Sequence, residues 1–428
     1  MVTERLKIKN RLFYKLPVTL VSPVSISGEN SNETDHDVIK TEDNRPFITG
    51  SSVAGAFLNY LEDINIEKNL LTEFFGNTNG SDCSMSRIFI SDILLDNAKI
   101  SVRDGIRLDE NKTTVQNAKY DYQIVESGAK GYLYIEYVIY HKDPITAEDA
   151  EDLTLHIISG MNNGEIRLGF KKQRGLGVLS VAEKYGFKRF DYDRIVPAKL
   201  LNFLDNKNYD EKTVSKLYSK NNNNLTLSLD LVQNGGISIR TYSAKPNAPD
   251  FSHITANGKA VIPGSSWNGA IKARAFDILK NSLNANESIV EELQKFWGRL
   301  GENEFVLSQI EISESIIRKS SKGDSGFINM TRNKINRFDN STVDRALYSE
   351  SSFFNGKTQL NVTVKNISDN EWVAGLIVLT FADIANGLLA VGGQTAVGRG
   401  LFEGKFDINN SEYAKYISAL YNKLKGVD

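Results

Sequence analysis

A single cysteine, Cys83, in 428 residues excludes an intramolecular disulfide, and with only four histidines the composition argues against a cysteine/histidine zinc site. No apolar run reaches the roughly 18 residues that a membrane-spanning helix needs. The N-terminal stretch MVTERLKIKN lacks the apolar middle of a signal peptide, so a soluble, cytoplasmic protein with no membrane partner is expected. A net positive balance is also absent, because 51 Lys and Arg against 53 Asp and Glu give a net charge of −2 and leave no basic field around the whole molecule. A nucleic acid would have to be gripped by local basic surfaces. The chain does have ordinary core-forming material, 40% hydrophobic and 24% charged residues, and enough length for two or three domains.

It also has a repeat. "FITGSSVAGAF" (47–57) and "VIPGSSWNGAIKAR" (261–274) share Gly-Ser-Ser followed by Gly-Ala, with Gly50 on Gly264. "LGFKKQRGLGVL" (168–179) and "VGGQTAVGRGLF" (391–402) align Gly169, Gly175 and Gly177 on Gly392, Gly398 and Gly400. Between them, Arg103, Ile106, Val115, Ala118 and Tyr120 match Arg332, Ile335, Val343, Ala346 and Tyr348 after small gaps. Three matches in one order, at a period near 214 residues, indicate a duplicated domain and not a solenoid. The polar, Asn- and Lys-rich stretch 206–223 reads as a linker between a first domain (1–205) and a second (224–428). Alternating apolar residues at 11–27 and 224–240 predict a long first strand in each half. Further strands are expected at 87–103, 131–142, 305–317 and 359–366, and helices from the Gly-Ser-Ser turns and over 146–161 and 369–388. The order strand, helix, strand, hairpin-like insertion, strand, helix, glycine-rich loop, strand gives an α+β class with two ferredoxin-like units.

Glycine-rich loops let backbone N–H groups approach phosphates, although their first meaning is a turn. Neither loop ends in the lysine-serine/threonine of a P-loop, nor opens a helix as a dinucleotide fingerprint does. The 168–179 copy carries Lys171, Lys172 and Arg174 without an acidic residue, a strip suited to a phosphate backbone. The loops after the first strands, 28–46 and 243–259, place Asp35 on Asp250 when "DHDVIK" is registered on "DFSHIT". A loop aspartate usually serves a turn. Beside basic loops it is also placed to bind a hard divalent cation or orient a 2′-hydroxyl. Asp37 competes with Asp35, while His36 and His253 read as surface residues near the same loops.

The loop aspartate, the Gly-Ser-Ser helix start, the arginine-bearing insertion ending in Ala-x-Tyr, and the closing glycine loop together resemble the RAMP superfamily. The similarity is nearest to backbone subunits of type III CRISPR effector complexes of the Csm/Cmr kind. Two units in one chain look like the fused double-backbone subunit of type III-D systems. The resemblance implies two modified RRM-like domains, each with a protruding thumb hairpin, here 103–127 and 332–353. It implies catalytic aspartates at Asp35 and Asp250, with Asp37, His36 and His253 as further candidates, and Mg2+ or Mn2+ held by Asp35 and Asp250. The implied guide-RNA contacts are Gly50, Ser51, Ser52, Arg103, Arg107, Lys171, Lys172 and Arg174 in the first half. In the second they are Gly264, Ser265, Ser266, Lys272, Arg274, Arg332, Arg337, Gln394, Thr395 and Arg399. The first copy has Leu58 and Tyr60 where the second has Lys272 and Arg274. The implied function is metal-dependent cleavage of guide-paired target RNA, one cut per domain, with guide RNA, target RNA and other effector subunits as partners. A non-catalytic scaffold and a CRISPR precursor-processing nuclease are the alternatives.

Overall fold

The computed structural model describes the chain except for residues 1–6, 29–32, 78–82, 109–113, 195–196, 205–208, 215–216, 221–222, 243–247, 301–304, 320–325 and 427–428. Two compact units emerge. The first comprises 1–105, 120–172 and 176–221, and the second 106–119, 173–175 and 222–428.

In the first unit, β1 (Ile8–Leu20) buries Leu12, Tyr14, Leu16, Val18 and Leu20 on one face, the period-2 pattern of a half-buried strand. The helix α1 (Gly50–Asp63) follows, then β2 (Ile88–Ile90), a hairpin of β3 (Ile100–Leu108) and β4 (Thr114–Val125) whose residues 106–119 are counted with the second unit, β5 (Lys130–Tyr140), α2 (Ala147–Asn162), β6 (Leu179–Val181) and β7 (Lys184–Asp191). Strand β1 lies between β5, paired Leu12 to Tyr137 and Leu16 to Leu133, and the returning strands β6 and β7. Strand β2 closes the far edge on β5. Helix α1 contributes Val53, Phe57 and Leu61 to the core, and α2 contributes Leu153, Ile157 and Ile158. Thr146 caps α2 in a full capping box with Asp149.

The second unit repeats this plan with β8 (Leu225–Asn234), β9 (Phe251–His253), α3 (Gly264–Asp277), β10 (Ile310–Ile312), a hairpin of β11 (Gly326–Arg332) and β12 (Tyr348–Phe354), β13 (Gly356–Val364), α4 (Ile367–Ala385) and β14 (Leu401–Gly404). Its sheet runs β10, β13, β8, β14, so the first strand is again central and the second at an edge. A C-terminal helix, α5 (Ser411–Lys425), packs Tyr416 and Leu420 into the core beside α4, where Gly375 lets the helices close. These are two tandem modified ferredoxin-like domains of the α+β class, each with a hairpin insertion.

Some elements depart from the sequence reading. The long strand expected over 87–103 is broken into short pieces, and so is 305–317. The stretch 206–223, read as a linker, contributes Asp210–Thr213 as an edge strand on β7. Tyr218 in the same stretch stacks on His156 of α2 at 3.7 Å. These pairings join segments distant in sequence, and local patterning carries no trace of them.

The shared Gly-Ser-Ser turn has a packing cause in both units. A Cβ on Gly50 would stand 2.4 Å from the Ile90 carbonyl oxygen, and one on Gly264 would stand 2.2 Å from that of Ile312, so each helix start presses on the following strand. The glycine loops match more closely still, with positive φ at Gly169 and Gly392, Lys171 and Gln394, Gly175 and Gly398, and Gly177 and Gly400. A Cβ on Gly177 or Gly400 would fall 1.9 Å from the carbonyl oxygen of Leu168 or Val391. Gly400→Ala is therefore expected to lower stability by at least about 1–2 kcal/mol from the left-handed backbone alone, with the clash in addition. Gly269→Ala, in α3 with open space around it, should be neutral or stabilising by up to about 1 kcal/mol. Denaturant titration of both variants checks this, and an unchanged midpoint for Gly400→Ala would contradict it.

Candidate nucleic-acid interface

Three surfaces meet in each unit: the aspartate loop, the returning strand of the hairpin and the glycine loop. In the first unit, the Asp121 N–H donates to Asp35 Oδ2, and the Asp35 N–H donates to Asp121 Oδ1, both at 2.9 Å. In the second, the Ser349 N–H donates to Asp250 Oδ2 at 2.7 Å, the Ser349 hydroxyl donates to the same oxygen at 3.0 Å, and the Asp250 N–H donates to Ser349 Oγ at 3.1 Å. The following ring repeats as well. His36 meets Tyr120 edge-on at 6.3 Å, and Phe251 meets Tyr348 edge-on at 6.0 Å. Each aspartate loop runs parallel to its hairpin strand, His36 bridging to Tyr122 and Phe251 pairing with Glu350. Both aspartates are exposed. The Ser349 backbone N–H and hydroxyl hold the Asp250 carboxyl below its ordinary range, so it is ionised near neutrality.

The glycine loops are stitched to the ends of the first strands by corresponding bonds. The Gly177 N–H donates to the Pro23 carbonyl and the Phe170 N–H to that of Ser25; the Gly400 N–H donates to the Gly236 carbonyl and the Gly393 N–H to that of Ser238, all at 2.8 Å. The family model of the RAMP superfamily matches residues 18–180 and 252–403, which include Asp35, both hairpin strands and both glycine loops, while Asp250 lies two residues before the second match. The chain belongs to the RAMP superfamily. No curated protein matches it. Membership supports an RNA-binding, CRISPR-associated protein, and among the described residues no helix is long and apolar enough to cross a membrane.

The two RAMP repeats carry different side chains on this common frame. In the first, Lys171 Nζ lies 3.4 Å from the Tyr122 ring centroid and 4.6 Å from that of Tyr120. Lys172 is half-buried beside it. In the second, the position of Tyr122 is taken by Glu350, fully buried, which accepts from Gln394 Nε2 at 2.7 Å and lies 2.9 Å from Arg332 Nε. Arg240 and Arg399 lie 3.9 and 4.0 Å from the same carboxylate. Arg240 also stands over the Phe251 ring, next to Asp250, at 4.6 Å. Sequence reading missed Arg240 and Glu350, since neither belongs to a local motif.

Other candidates fall elsewhere. Arg103 is buried, and the Arg107 side chain lies outside the described residues. Arg274 is paired with Asp383 at 2.8 Å and with Asp277, while Lys272 leans over Phe276 at 5.7 Å. Arg174, part of the second unit, donates to Asn268 Oδ1 at 2.6 Å. Arg337 and Thr395 are exposed. At the α1 start Thr49 accepts from the Ser52 N–H, Ser51 and Ser52 are exposed, and Asp92 takes the Gly50 N–H at 2.7 Å. Helix α3 starts after Pro263 with no side-chain cap, Ser265 exposed and Ser266 half-buried. Asp37 is nearly buried and accepts from the Thr34 hydroxyl. Among the described residues no three His, Cys, Asp or Glu side chains converge as a metal cluster.

His253 corrects the sequence reading of a surface residue. It is 1% exposed, accepts the Ile239 N–H on Nδ1 at 3.0 Å, and burial pushes its pKa down to about 4. Its place in the register corresponds to Val38, a core position, so it is packed and not poised for proton transfer. A folded pKa below the unfolded value means the unfolded chain binds the extra proton first. Its contribution is thus full above about pH 6.5 and is lost as pH falls toward 4, by up to about 3 kcal/mol. Unfolding titrations at pH 7 and 5 should show that loss in the native chain and a flatter dependence in His253→Asn. Equal slopes in both would remove His253 as the cause.

Proposed function

We propose that this chain is a guide-RNA-binding backbone subunit of a type III CRISPR effector complex, and that each repeat cuts guide-paired target RNA at its loop aspartate. The observation that carries this reading is the matched anchoring of Asp35 on Asp121 and Asp250 on Ser349, beside glycine loops of the same left-handed backbone. Exposed anionic groups held rigidly next to basic side chains suit positioning work on RNA. The target's 2′-oxygen would attack the adjacent phosphorus as the phosphorus–O5′ bond breaks, leaving a 2′,3′-cyclic phosphate and a 5′-hydroxyl. The aspartate orients the attacking hydroxyl and accepts its proton, and the departing 5′-oxygen takes up a proton from water. DNA lacks that hydroxyl, which fits RNA as substrate.

One exposed loop aspartate in each repeat suits Mg2+ or Mn2+ that takes its other ligands from RNA phosphate and water. Such an ion would neutralise charge developing on the phosphate. Asp35 and Asp250 are the residues that would hold it. Lys171 and Lys172 in the first repeat, and Arg240, Arg332, Gln394 and Arg399 in the second, supply the phosphate-facing groups.

A second reading, a scaffold that holds guide RNA without cutting, is favoured by one feature: each carboxylate already accepts a backbone N–H, which is also what a structural loop anchor does. Asparagine keeps an acceptor for that N–H and removes the charge, so it separates the two. In the assembled complex with end-labelled target RNA, Asp35→Asn and Asp250→Asn are each expected to slow a different cut by at least about a hundredfold. Guide occupancy should stay unchanged. EDTA should abolish both cuts. A double variant that still cuts in the native pattern would leave the scaffold reading standing and move cleavage to another subunit.

A further inference from the structure

The outer face of the first sheet, opposite α1 and α2 and partly covered where Phe203 of the helix Pro197–Leu204 packs on Phe13, is unlike its counterpart in the second repeat. On the first, Lys15 stands directly across from Tyr134 on β5 and from Gly186 on β7, and Pro17 across from Tyr132. Tyr132 and Tyr134 are 45% and 40% exposed, with ring centroids 6.3 Å apart. Lys15 Nζ lies 4.5 Å from the Tyr132 ring centroid and 5.9 Å from those of Tyr134 and Tyr209. Tyr209 packs over Gly186, where a Cβ would come within 3.0 Å of it. Between these groups lies an open groove of about 240 Å3, rimmed by Lys184 and Glu211.

The same places in the second sheet hold short polar side chains that bond to one another. The Ser228 hydroxyl donates to Asn361 at 2.7 Å, Gln359 donates to Asp230 at 2.9 Å, and Thr226 and Thr363 meet at 2.9 Å. One copy of the duplicated sheet thus satisfies itself. The other exposes aromatic rings with a cation between them.

Exposed tyrosines are stable on a sheet surface, yet two side by side leave apolar ring area in water that neighbours do not cover. Flat rings with a lysine at their edge complement a planar, π-faced ligand that carries a phosphate. The groove is smaller than the roughly 300–1,000 Å3 of pockets for whole small molecules, which favours a single base of an extended strand. We infer that the face formed by Lys15, Tyr132, Tyr134 and Tyr209 is a stacking site for nucleobases of single-stranded RNA, separate from the aspartate and glycine loops. It does not depend on which repeat cuts, or on whether either does.

The probe is a short oligouridylate carrying 5-iodouridine, cross-linked by light to the purified full-length chain, with attachment sites mapped by mass spectrometry. Cross-links at Tyr132 or Tyr134 are expected. By fluorescence polarisation, Tyr132→Ala with Tyr134→Ala should weaken oligouridylate binding about tenfold. Tyr132→Phe with Tyr134→Phe, which keeps both rings, should restore it. Guide occupancy in the assembled complex is measured on the same variants. If it is normal while cross-links map only to the glycine loops and hairpins, and the alanine variant binds as the native chain does, this inference fails and the proposed function is untouched. If the alanine variant instead loses a self-association seen by light scattering, the face is a protein contact and the inference is overturned.

Discussion

The fold of each repeat depends on one tight constraint, the closure of the glycine loop on itself. The Leu168 N–H bonds to the Gly177 carbonyl, and the Val391 N–H to that of Gly400, both at 2.9 Å. Closing at that distance leaves no room for a Cβ at Gly177 or Gly400, and four left-handed positions per loop are needed to turn the chain back. The loop then carries the chain into the last sheet strand on one side and borders the aspartate strand on the other. Sheet order, site and interface are linked through it.

On this shared frame the side chains have diverged, which is where the repeats differ in chemistry. The first repeat holds Lys171 over two tyrosine rings, a contact without a buried charge. The second buries Glu350 and gathers guanidinium groups around it, an arrangement in which the carboxylate needs its partners as much as they need it. Three arginines to one glutamate leave net positive charge in this cluster, with Arg240 over the Phe251 ring next to Asp250. The outer sheet faces have parted in the same way, one aromatic and basic, the other polar and self-bonded.

The duplication, the two glycine loops, the Gly-Ser-Ser helix starts and the strand–helix order were legible because each is written in a few consecutive residues whose backbone needs are local. The positive-φ glycines are an instance: only glycine takes such a conformation freely, so the residue type announces it. The short helices Lys68–Phe75 and Glu287–Phe296 and the C-terminal helix went unread, although the last two have side-chain caps in Asn286 and Asn410. The meaning of the Gly-Ser-Ser turn was also only half visible, since the carbonyl that forbids a side chain at Gly50 belongs to Ile90.

What tertiary structure alone decided concerns pairs far apart in the chain. Asp35 and Asp121 are 86 residues apart, and Asp250 and Ser349 are 99, so no window of sequence could show that these aspartates are held by their hairpins. Burial followed the same rule. His253 and Arg103 look like surface residues by type, yet both are buried. The sequence by itself determined that there are two units of one kind and where their turns lie, because backbone conformation answers to residue type within a few positions. Which side chains meet across those units' sheets and hairpins was decided by strand register, which depends on the packing of the whole domain.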